Sequence, residues 1–573
     1  MGVEVLRARS SRCSTRRRWV AITLAVCVVM GTCVSAAPNR AAVASAHPLA
    51  SEAGVEMLAR GGNAFDAAVA VSAALGVVEP YGSGLGGGGF FLLHRASDGL
   101  DVLIDAREVA PAAASEGMYL DASGEPIPGA SRNGPLAAGI PGLPAALVHL
   151  AENYGRLPLS ESLQPAIRLA EQGFPAYDWH LTRLNRRAEN MNDAALAVFL
   201  PAGAPPAQGS PVRQVDLGET LRVLASAGRD GFYRGAVARQ LVDGVREGGG
   251  IWSAEDLANY RIVEREPLLG AYQGVTIVSV PPPSSGGVAL INMFNMLTGY
   301  DLQSTDRVTR THLLVEIMRR TYRDRGQYLG DSDFVDIPLD MLLHPFYAVG
   351  QRSNLRMDRA TPSGNLAGIQ PLETSGGNQT SHFSVLDTDG NVVASTQSIN
   401  FSYGSGYMAP GTGVLLNNEM DDFSKKPGVP NGYQLLGAEA NSIQPGKRML
   451  SSMTPTILRT DDQVAVLGSP GGSQIITMVF LAGLAWIEGS DAADMAGRPR
   501  FHHQYFPDRI FFEPASLTTA EQASLEAMGH TLTPNRRTTG NGNLQIVTWN
   551  RITGEVDAAS DPRGLGEPRF FDP

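Results

Sequence analysis

Apolar residues recur with two different periods along the chain, and the change of period marks where predicted helices give way to strands. Residues 41–76 are rich in alanine and predict two helices separated by Gly61 and Gly62, the second beginning near Asn63 and Asp66. The segments GSGLGGGGFFLLH and DVLIDARE follow, and they predict a glycine loop and two apolar strands. The first part of the chain therefore combines a helical layer with the start of a sheet.

The middle of the chain is mostly helical by period, and strands dominate the last third. Helical periodicity covers roughly 135–265 and 305–350, and the segment PPPSSGG at 281–287 predicts a rigid loop. After residue 380, strand patterns appear in HFSVL, NVVAST, PTILR, VAVLG and LQIVTWN. Helices and strands in this mixed order predict an α/β (α+β) fold, a layered sandwich with antiparallel pairing.

The first two strand patterns after Thr380 predict a hairpin. SHFSVLD and NVVASTQ flank the turn TDG at 388–390, and a three-residue loop with glycine in the left-handed third position is a favoured closure. Counted outward from this loop, Thr380 lies opposite Ser398, with Asn400 as its diagonal neighbour. A two-residue turn would move both side chains to the opposite face, so the prediction depends on the turn type.

Two other patterns are weaker signals of chemistry. The motif Gly82-x-Gly84-x-x-Gly87 has the spacing of the dinucleotide-binding fingerprint, which requires a strand, then the glycines, then a helix. Here the predicted order is helix, glycines, strand, so nucleotide binding is not expected. The pair at 502–503, His-His, favours a structural role over metal ligation, because no metal-binding motif accompanies it.

The first 36 residues predict an export signal. Arginines up to Arg18 precede an apolar stretch from Trp19 to Gly31, and the small residues VSA follow at 34–36. About 13 apolar residues fall short of the roughly 20 that span a bilayer, so a permanent transmembrane anchor is the poorer interpretation. The triplet TRR at 15–17 leaves twin-arginine export open beside the general route.

Composition beyond this leader narrows the chemistry. All three cysteines, Cys13, Cys27 and Cys33, lie in the leader, so its removal after Ala36 leaves no thiol, disulfide or cysteine metal site. The formal net charge is -11 at pH 7, and loss of the basic leader makes it more negative. Such an acidic chain argues against nucleic acid or anionic lipid as a partner. No later segment has 18 consecutive apolar residues, so no membrane span is predicted after signal removal.

A threonine at the start of a hairpin acquires a special chemistry if the peptide bond before it is cut. Thr380 would then carry a hydroxyl nucleophile and its own α-amine, whose ordinary pKa of about 7.7 to 8.0 suits a general base near neutrality. The alternative is an ordinary loop threonine that enters a strand. Residues 378–380, Asn-Gln-Thr, also form a glycosylation sequon, but a glycan there would bury the nucleophile.

Several segments in combination indicate a family. In family order from about residue 41 to 565, the chain resembles the γ-glutamyltransferase (γ-glutamyltranspeptidase) family in PLASEAGVEMLARGGNAFDAAVA, PPPSSGG, TSHFSVLDTDGNVVASTQSIN, NNEMDDFS, LSSMTPT, GSPGGSQI and SDPR. That family belongs to the N-terminal nucleophile hydrolases, so the resemblance implies a four-layer αββα sandwich. It also implies self-cleavage between Gln379 and Thr380. The expected pieces are the export signal 1–36, a large subunit 37–379 and a small subunit 380–573, the two subunits forming one αββα unit.

The resemblance also assigns residues to the α-carboxylate of a γ-glutamyl donor. Arg107 matches the arginine that grips this carboxylate, and its guanidinium can bind both oxygens. Ser451 and Ser452 match positions that donate to the same carboxylate. From the residues alone, Arg107 between Asp105 and Glu108 also fits a surface ion pair.

A second set of residues is assigned to the α-ammonium of the donor. Glu419 and Asp422 in NNEMDDFS match the pair that accepts from the ammonium, assisted by Asn400. The alternative for the acidic run is a solvated turn.

The remaining assignments concern the reaction itself. Gly471 and Gly472 match the oxyanion hole, where glycine permits close backbone approach, although a plain Pro-Gly turn is the alternative. Ser398 stands where many members carry threonine and keeps the hydroxyl that assists cleavage and activates the nucleophile. Residues 427–444 resemble the lid of many members, with Tyr433 at the gating position, but their composition equally fits a connector.

The sequence therefore predicts an exported precursor, periplasmic or secreted, that cleaves itself and then transfers a γ-glutamyl group in two steps. Thr380 takes the group from glutathione or a related amide, and an amino acid, a peptide or water accepts it. No metal or organic cofactor is implied. One alternative is a cephalosporin or glutaryl acylase on the same scaffold, which has no use for Glu419 and Asp422. Another is a non-catalytic periplasmic amino-acid or peptide binding protein, which has no use for Thr380.

Overall fold

The computed structural model describes residues 36–370, 380–535 and 542–573. The predicted export signal up to residue 35, and the segment 371–379 that ends at the predicted cut, lie outside the described residues. The described strands are, in chain order, β1 (Ala41–Ser45), β2 (Gly88–Arg95), β3 (Leu100–Ala106), β4 (Phe174–Pro175), β5 (Pro211–Val212), β6 (Val263–Arg265), β7 (Leu268–Tyr272), β8 (Val275–Ser279), β9 (Ser381–Leu386), β10 (Val392–Ser398), β11 (Thr456–Arg459), β12 (Gln463–Gly468), β13 (Phe501–His502), β14 (Ile510–Phe512), β15 (Leu532–Pro534), β16 (Gln545–Asn550), β17 (Val556–Ser560) and β18 (Arg569–Phe571).

The helices are concentrated in the middle of the chain, as the periodicity predicts. The described α-helices are α1 (Pro48–Ala59), α2 (Ala64–Val78), α3 (Leu143–Asn153), α4 (Leu159–Ser162), α5 (Gln164–Gln172), α6 (Asp178–Arg187), α7 (Asp193–Phe199), α8 (Val215–Tyr233), α9 (Gly235–Glu247), α10 (Ala254–Asn259), α11 (Gly286–Leu297), α12 (Arg307–Tyr328), α13 (Leu339–Leu342), α14 (Pro345–Arg352), α15 (Ile475–Ile487), α16 (Ala492–Gly497) and α17 (Thr519–Ala527). Within the described ranges, no helix combines the length and apolarity that crossing a bilayer requires.

Two antiparallel sheets form the centre of the described fold. The strand order of the larger, seven-stranded sheet is β18-β1-β9-β10-β2-β3-β6, and that of the six-stranded sheet is β17-β16-β12-β11-β8-β7. Two small sheets, β13-β14-β15 and β4-β5, lie outside this pair. Each large sheet contains strands from both sides of Thr380, so neither half of the chain builds a large sheet alone.

Side chains alternate along the strands of the larger sheet, so each of its faces has its own hydrophobic core. Phe91 and Leu93 of β2 face a core shared with α1, α2 and α3. Phe90 and Leu92 face the opposite way, into the core shared with the smaller sheet. Helices α11, α15 and α16 pack against the strands of that smaller sheet. The layers follow the order helix, sheet, sheet, helix, which confirms the four-layer αββα sandwich.

The prediction that a helix extends from residue 41 is wrong at its start. Ala41–Ser45 forms strand β1, which is fully buried between β9 and β18. Alanine favours a helix by less than about 1 kcal/mol per residue over most residues, and pairing with two strands outweighs this preference. The helix begins instead at Pro48, after His47 accepts a hydrogen bond from the amide of Leu49.

The second predicted helix and the glycine loop lie where the sequence places them. Asn63 caps α2 by accepting from the amide of Asp66 at 3.1 Å, and the Asp66 carboxylate accepts from the amide of Asn63 at 2.9 Å. Because α2 ends at Val78 and β2 begins at Gly88, the glycines stand between a helix and a strand. This order confirms that the glycine motif is not a dinucleotide-binding turn.

The hairpin of β9 and β10 has the predicted register. The amide of Asp387 donates to the carbonyl of Asn391 at 3.1 Å, and Gly390 has a φ of 88°. Ser381 pairs with Gln397, so the next position outward sets Thr380 opposite Ser398. Thr380 therefore directly precedes β9, and Ser398 ends β10 at the same edge of the seven-stranded sheet.

Candidate active site

The predicted site residues meet in one pocket. Arg107 enters it from the end of β3, Thr380 from the start of β9 and Ser398 from the end of β10. The predicted residues that line it are Arg107, Thr380, Ser398, Asn400, Glu419, Asp422, Tyr433, Ser451, Ser452 and Gly472. Gly471 precedes Gly472 in the same turn without lining the pocket. Met453 and Ile475 complete the lining, and no sequence signal singled out these two apolar residues beyond their position next to predicted ones.

Arg107 is buried, with 1% of its surface exposed. Its Nη1 donates to Glu419 Oε2 at 2.6 Å, and its Nη2 donates to Asp422 Oδ2 at 2.6 Å. Its Nε donates to the carbonyl of Met449 at 3.2 Å. The alternative of a surface ion pair is therefore wrong, because the guanidinium is buried and binds carboxylates that are remote in sequence. The residues predicted to bind the two charged groups of a donor are thus hydrogen-bonded to each other in this structure.

Three carboxyl groups surround this single guanidinium. Glu108 Oε2 lies 3.7 Å from Arg107 Nη1, and both carboxyl oxygens of Glu108 are buried without a hydrogen-bond partner among the described residues. Burial raises the pKa of Glu108 well above its usual value. Burial also raises the pKa of Glu419 to about 7 and that of Asp422 above its usual value, while Arg107 opposes both shifts. When its carboxyl groups are ionised, a site with more carboxylates than guanidinium groups favours a cationic ligand.

The acidic run is not a solvated turn. Glu419–Asp422 forms one turn of 3₁₀-helix, and Glu419 and Asp421 are buried. Asp421 accepts from Lys425 Nζ at 2.9 Å and from the amide of Gly432 at 2.7 Å. Asp421 therefore binds groups away from the pocket, whereas its neighbour Asp422 lines the pocket.

Asn400 supports the pocket chiefly through its backbone. Its φ of 73° lies in the left-handed region, which asparagine tolerates better than most residues. Its amide donates to Ser398 Oγ at 2.7 Å, and its side-chain Nδ2 donates to the carbonyl of Asn418 at 2.9 Å. The conformation of Asn400 thus fixes the oxygen that stands opposite Thr380.

Gly471 and Gly472 begin the segment that leads into α15. Their φ values are 141° and 56°, and a 3₁₀ turn at Gly472–Gln474 continues directly into the helix. The amide groups at the start of a helix carry partial positive charge, so this turn suits a developing oxyanion. A Cβ atom on Gly472 would lie 2.4 Å from Cε1 of Tyr433, so only glycine fits beneath that ring.

Tyr433, the predicted gating residue, lines the pocket and is held in place by several contacts. Its Oη donates to the carbonyl of Asn400 at 2.9 Å, and its ring stacks on Phe401 with centroids 4.6 Å apart. Asn431 donates to Asp422 Oδ1 at 3.2 Å and accepts from the amide of Tyr433 at 2.9 Å. Sequence reasoning did not single out Phe401 and Asn431, although both adjoin motif residues.

The histidines at 502 and 503 are hydrogen-bonded within the protein. His502 contacts Thr477 and Gln504, and His503 contacts Asp508 at 3.2 Å. Among the described residues, His312, Glu316 and His530 bring possible metal-ligand atoms within 4.8 Å of one another. The carboxylate of Glu316 already pairs with Arg319 and Arg320, at 3.2 and 2.6 Å, and two guanidinium groups oppose a cation there.

Comparison with known proteins agrees with this geometry. The chain matches the family model described as gamma-glutamyltranspeptidase over residues 50–570. It is 43% identical to a glutathione hydrolase proenzyme of Pseudomonas sp. (strain A14), covering 85% of each chain. It is 39% identical to the glutathione hydrolase proenzyme of Escherichia coli (strain K12), covering 92% of this chain and 90% of that one. The structure of a cephalosporin acylase from Bacillus halodurans superposes with a TM-score of 0.82 at 27% identity, covering 99% of both chains. The protein therefore belongs to the gamma-glutamyltranspeptidase family.

Proposed function

We propose that this protein is a self-cleaving γ-glutamyltransferase and glutathione hydrolase. Thr380 takes the γ-glutamyl group of glutathione or a related amide and passes it to an amino acid, a peptide or water. One observation carries the proposal: Thr380 shares a pocket with Arg107 and with two carboxylates, Glu419 and Asp422. The pocket thus places a hydroxyl nucleophile near a guanidinium group and two carboxyl groups, which a donor with both an α-carboxylate and an α-ammonium requires.

The first step of the proposal is self-cleavage between Gln379 and Thr380. The Thr380 oxygen attacks the preceding carbonyl carbon, the amide C–N bond breaks, and the acyl group moves onto the oxygen as an ester. Water then hydrolyses the ester, which leaves a carboxylate on Gln379 and a free α-amine on Thr380. The products are the proposed large subunit 37–379 and small subunit 380–573. The register of β9 and β10 supports this step, because it holds the hydroxyl group of Ser398 opposite Thr380.

The second step is acyl transfer by the freed threonine. The α-amine of Thr380 accepts the hydroxyl proton as the oxygen attacks the γ-carbonyl carbon of the donor. Amide groups at Gly471 and Gly472 stabilise the oxyanion, and loss of one such donor typically costs about 3 to 4 kcal/mol. The C–N bond of the intermediate then breaks, the α-ammonium of Thr380 gives its proton to the leaving amine, and a γ-glutamyl ester remains on Thr380. An acceptor amine or water then attacks the ester carbonyl carbon and gives its proton to the α-amine of Thr380. The ester C–O bond breaks, and the threonine hydroxyl group takes up the proton.

Donor binding exchanges one set of ion pairs for another. The α-carboxylate of the donor replaces carboxylate oxygens on Arg107, and the α-ammonium binds Glu419 and Asp422 in place of the guanidinium. Because the buried charges keep partners throughout, the cost of removing the donor charges from water is offset. A donor without the ammonium would leave two carboxyl groups without a cation.

We also propose that residues 1–36 direct export and are removed, which places the mature protein in the periplasm or outside the cell. The support is the sequence pattern of basic, apolar and small residues. N-terminal sequencing of the exported large subunit tests it, since a start at or near Ala37 is expected and a start at Met1 contradicts it.

Self-cleavage is tested by comparing the wild type with Thr380→Ala. Wild type is expected to separate into two bands, and the smaller one to begin Thr-Ser-His-Phe. Thr380→Ala lacks the attacking oxygen, so it should remain one band without activity on a γ-glutamyl anilide. Thr380→Ser, which keeps a hydroxyl group, serves as the control and should still cleave. A wild type that stays whole yet turns over the anilide would refute the mechanism.

Donor choice separates this function from its alternatives. With Glu419 and Asp422 in the pocket, wild type should prefer a γ-glutamyl anilide over a glutaryl anilide by about 100-fold, the effect of a charged hydrogen-bonded pair. The reverse preference would indicate an acylase. Binding of γ-glutamyl compounds with neither cleavage nor turnover would indicate a binding protein.

A further inference from the structure

Arg325 lies beside the pocket, and no step described so far uses it. It belongs to α12 and is 5% exposed. Its Nη2 donates to Ser452 Oγ at 3.1 Å, and its Nε donates to Ser285 Oγ at 3.0 Å. Among the described residues no carboxylate forms a salt bridge with it, although the charge of Asp422 acts on it from a distance. Arg325 is thus a buried cation whose direct partners are neutral hydroxyl groups.

Burying a charge without a counter-charge costs free energy, and a bound anion nearby would offset this cost for the Arg325 guanidinium. Burial lowers the pKa of Arg325 to about 10, which still leaves the guanidinium charged at neutral pH. Arg107 is neutralised by two carboxylates in the uncleaved chain. Arg325 therefore contributes positive potential at the Ser452 side of the pocket.

The direction of the hydrogen bonds determines what Ser452 can do. Because Ser452 Oγ accepts from Arg325, its own hydrogen remains to be donated, and Ser452 lines the pocket. Ser285 accepts from Arg325 and donates to the carbonyl of Ser451 at 2.7 Å. The segment 281–287 is thereby joined to Ser451 directly and to Ser452 through Arg325. The PPPSSGG motif thus supports the two serines from behind the pocket without lining it.

We propose that Arg325 is a positioning residue for the α-carboxylate of the donor, acting through the hydroxyl group of Ser452. It polarises the Ser452 hydroxyl, turns its hydrogen toward the pocket, and adds a second positive charge that attracts the carboxylate. The inference rests on the proposed function, because it assumes a donor with an α-carboxylate. It assigns α12 a part in donor specificity.

The test compares three anilide donors. The γ-glutamyl donor carries both charged groups, the glutaryl donor lacks the ammonium, and the 4-aminobutyryl donor lacks the carboxylate. Affinity is measured as KM, or as a competitive inhibition constant against the γ-glutamyl anilide where turnover is slow. In Arg325→Gln the KM for the first two donors should rise roughly tenfold or more, with a smaller change in kcat. The value for the 4-aminobutyryl donor should stay unchanged.

Two further variants keep the test decisive. Arg325→Lys keeps the charge and should recover part of the affinity for the first two donors. Ser285→Ala removes one partner of Arg325 and should produce a smaller effect with the same donor selectivity. Arg323→Gln is the matched control on α12, since Arg323 pairs with Asp324 away from the pocket, and it should leave all three constants unchanged.

The possible failures are distinguishable. Equal changes for all three donors, or no change in any, would overturn the role of Arg325 while leaving the proposed function intact. A wild type that does not use the γ-glutamyl anilide would overturn the proposed function itself.

Discussion

The charge of Glu419 is sensitive to pH in the neutral range. Burial raises its pKa to about 7, and Arg107 opposes the shift. Since a raised carboxyl pKa means that the neutral form persists to higher pH, Glu419 is mostly protonated below pH 7 and mostly charged above it. Only the charged form attracts the α-ammonium of a donor.

Donor preference is therefore expected to depend on pH. The ratio of kcat/KM for γ-glutamyl anilide to that for glutaryl anilide should fall about tenfold between pH 8 and pH 6, as the charged fraction of Glu419 falls. Taking the ratio cancels the titration of the Thr380 amine, which both donors share. In Glu419→Gln the ratio should be flat, and a flat ratio in wild type would contradict the assignment.

Asp422 should matter for the ammonium and not for the carboxylate. Asp422→Ala is expected to lower kcat/KM for γ-glutamyl anilide by about 10- to 100-fold, the effect of losing one charged hydrogen bond. Glutaryl anilide should be affected far less, because it carries no ammonium. Asp98→Ala is the control, since its exposed pair with Arg95 lies outside the pocket. Equal losses for both donors would favour the acylase.

At the scale of elements, the hairpin could be predicted because a short turn determines its register. The glycine in TDG selects the loop length, and the loop length places Thr380 opposite Ser398. Strand β1 could not be predicted in this way, because its alanines carry a helical preference that only the neighbouring strands overcome.

The candidate site also has features that the sequence could predict and features that it could not. Charged residues such as Arg107 could be assigned from motifs, because their chemistry matches a zwitterionic donor. Their mutual pairing could not be predicted, since it depends on how strand ends and the 3₁₀ turn meet in space. Arg325 was missed because a helical arginine in a polar stretch resembles any solvated residue, and only its burial sets it apart.

The turn before α15 provides a prediction at this scale. Gly472→Ala should lower kcat by about 100-fold or more, because the added Cβ would meet the Tyr433 ring at 2.4 Å and distort an oxyanion donor. The measurement is kcat on γ-glutamyl anilide, together with thermal unfolding. Gly350→Ala on α14 is the control, since nothing lies within 4 Å of its added Cβ. Unchanged kcat in Gly472→Ala would remove this turn from the mechanism.

At the scale of the whole molecule, the two proposed subunits share both sheets. β1 lies between β9 and β18, and β8 pairs with β11. The seven-stranded sheet therefore interleaves strands from before and after Thr380, and a cut there removes no strand pairing.

The cleaved pieces are thus expected to remain together without a covalent link. On gel filtration, cleaved wild type should elute at the volume of uncleaved Thr380→Ala, and the pieces should separate only in denaturant. The reason is the buried β1, whose removal would expose both neighbouring strands and two cores. Pieces that elute separately under native conditions would contradict the shared sandwich.

The pairing of Ala41 with Phe571 has a consequence for how the chain could be circularly permuted. It sets the opening strand of the sandwich alongside its closing strand, so a short glycine-serine bridge could join residue 573 to residue 37 with little entropic cost. A circular permutant opened before Thr380 would then begin with the threonine as soon as its initiator methionine is trimmed. Such a chain would have the free α-amine of Thr380 without self-cleavage, so its activity would no longer depend on that cleavage.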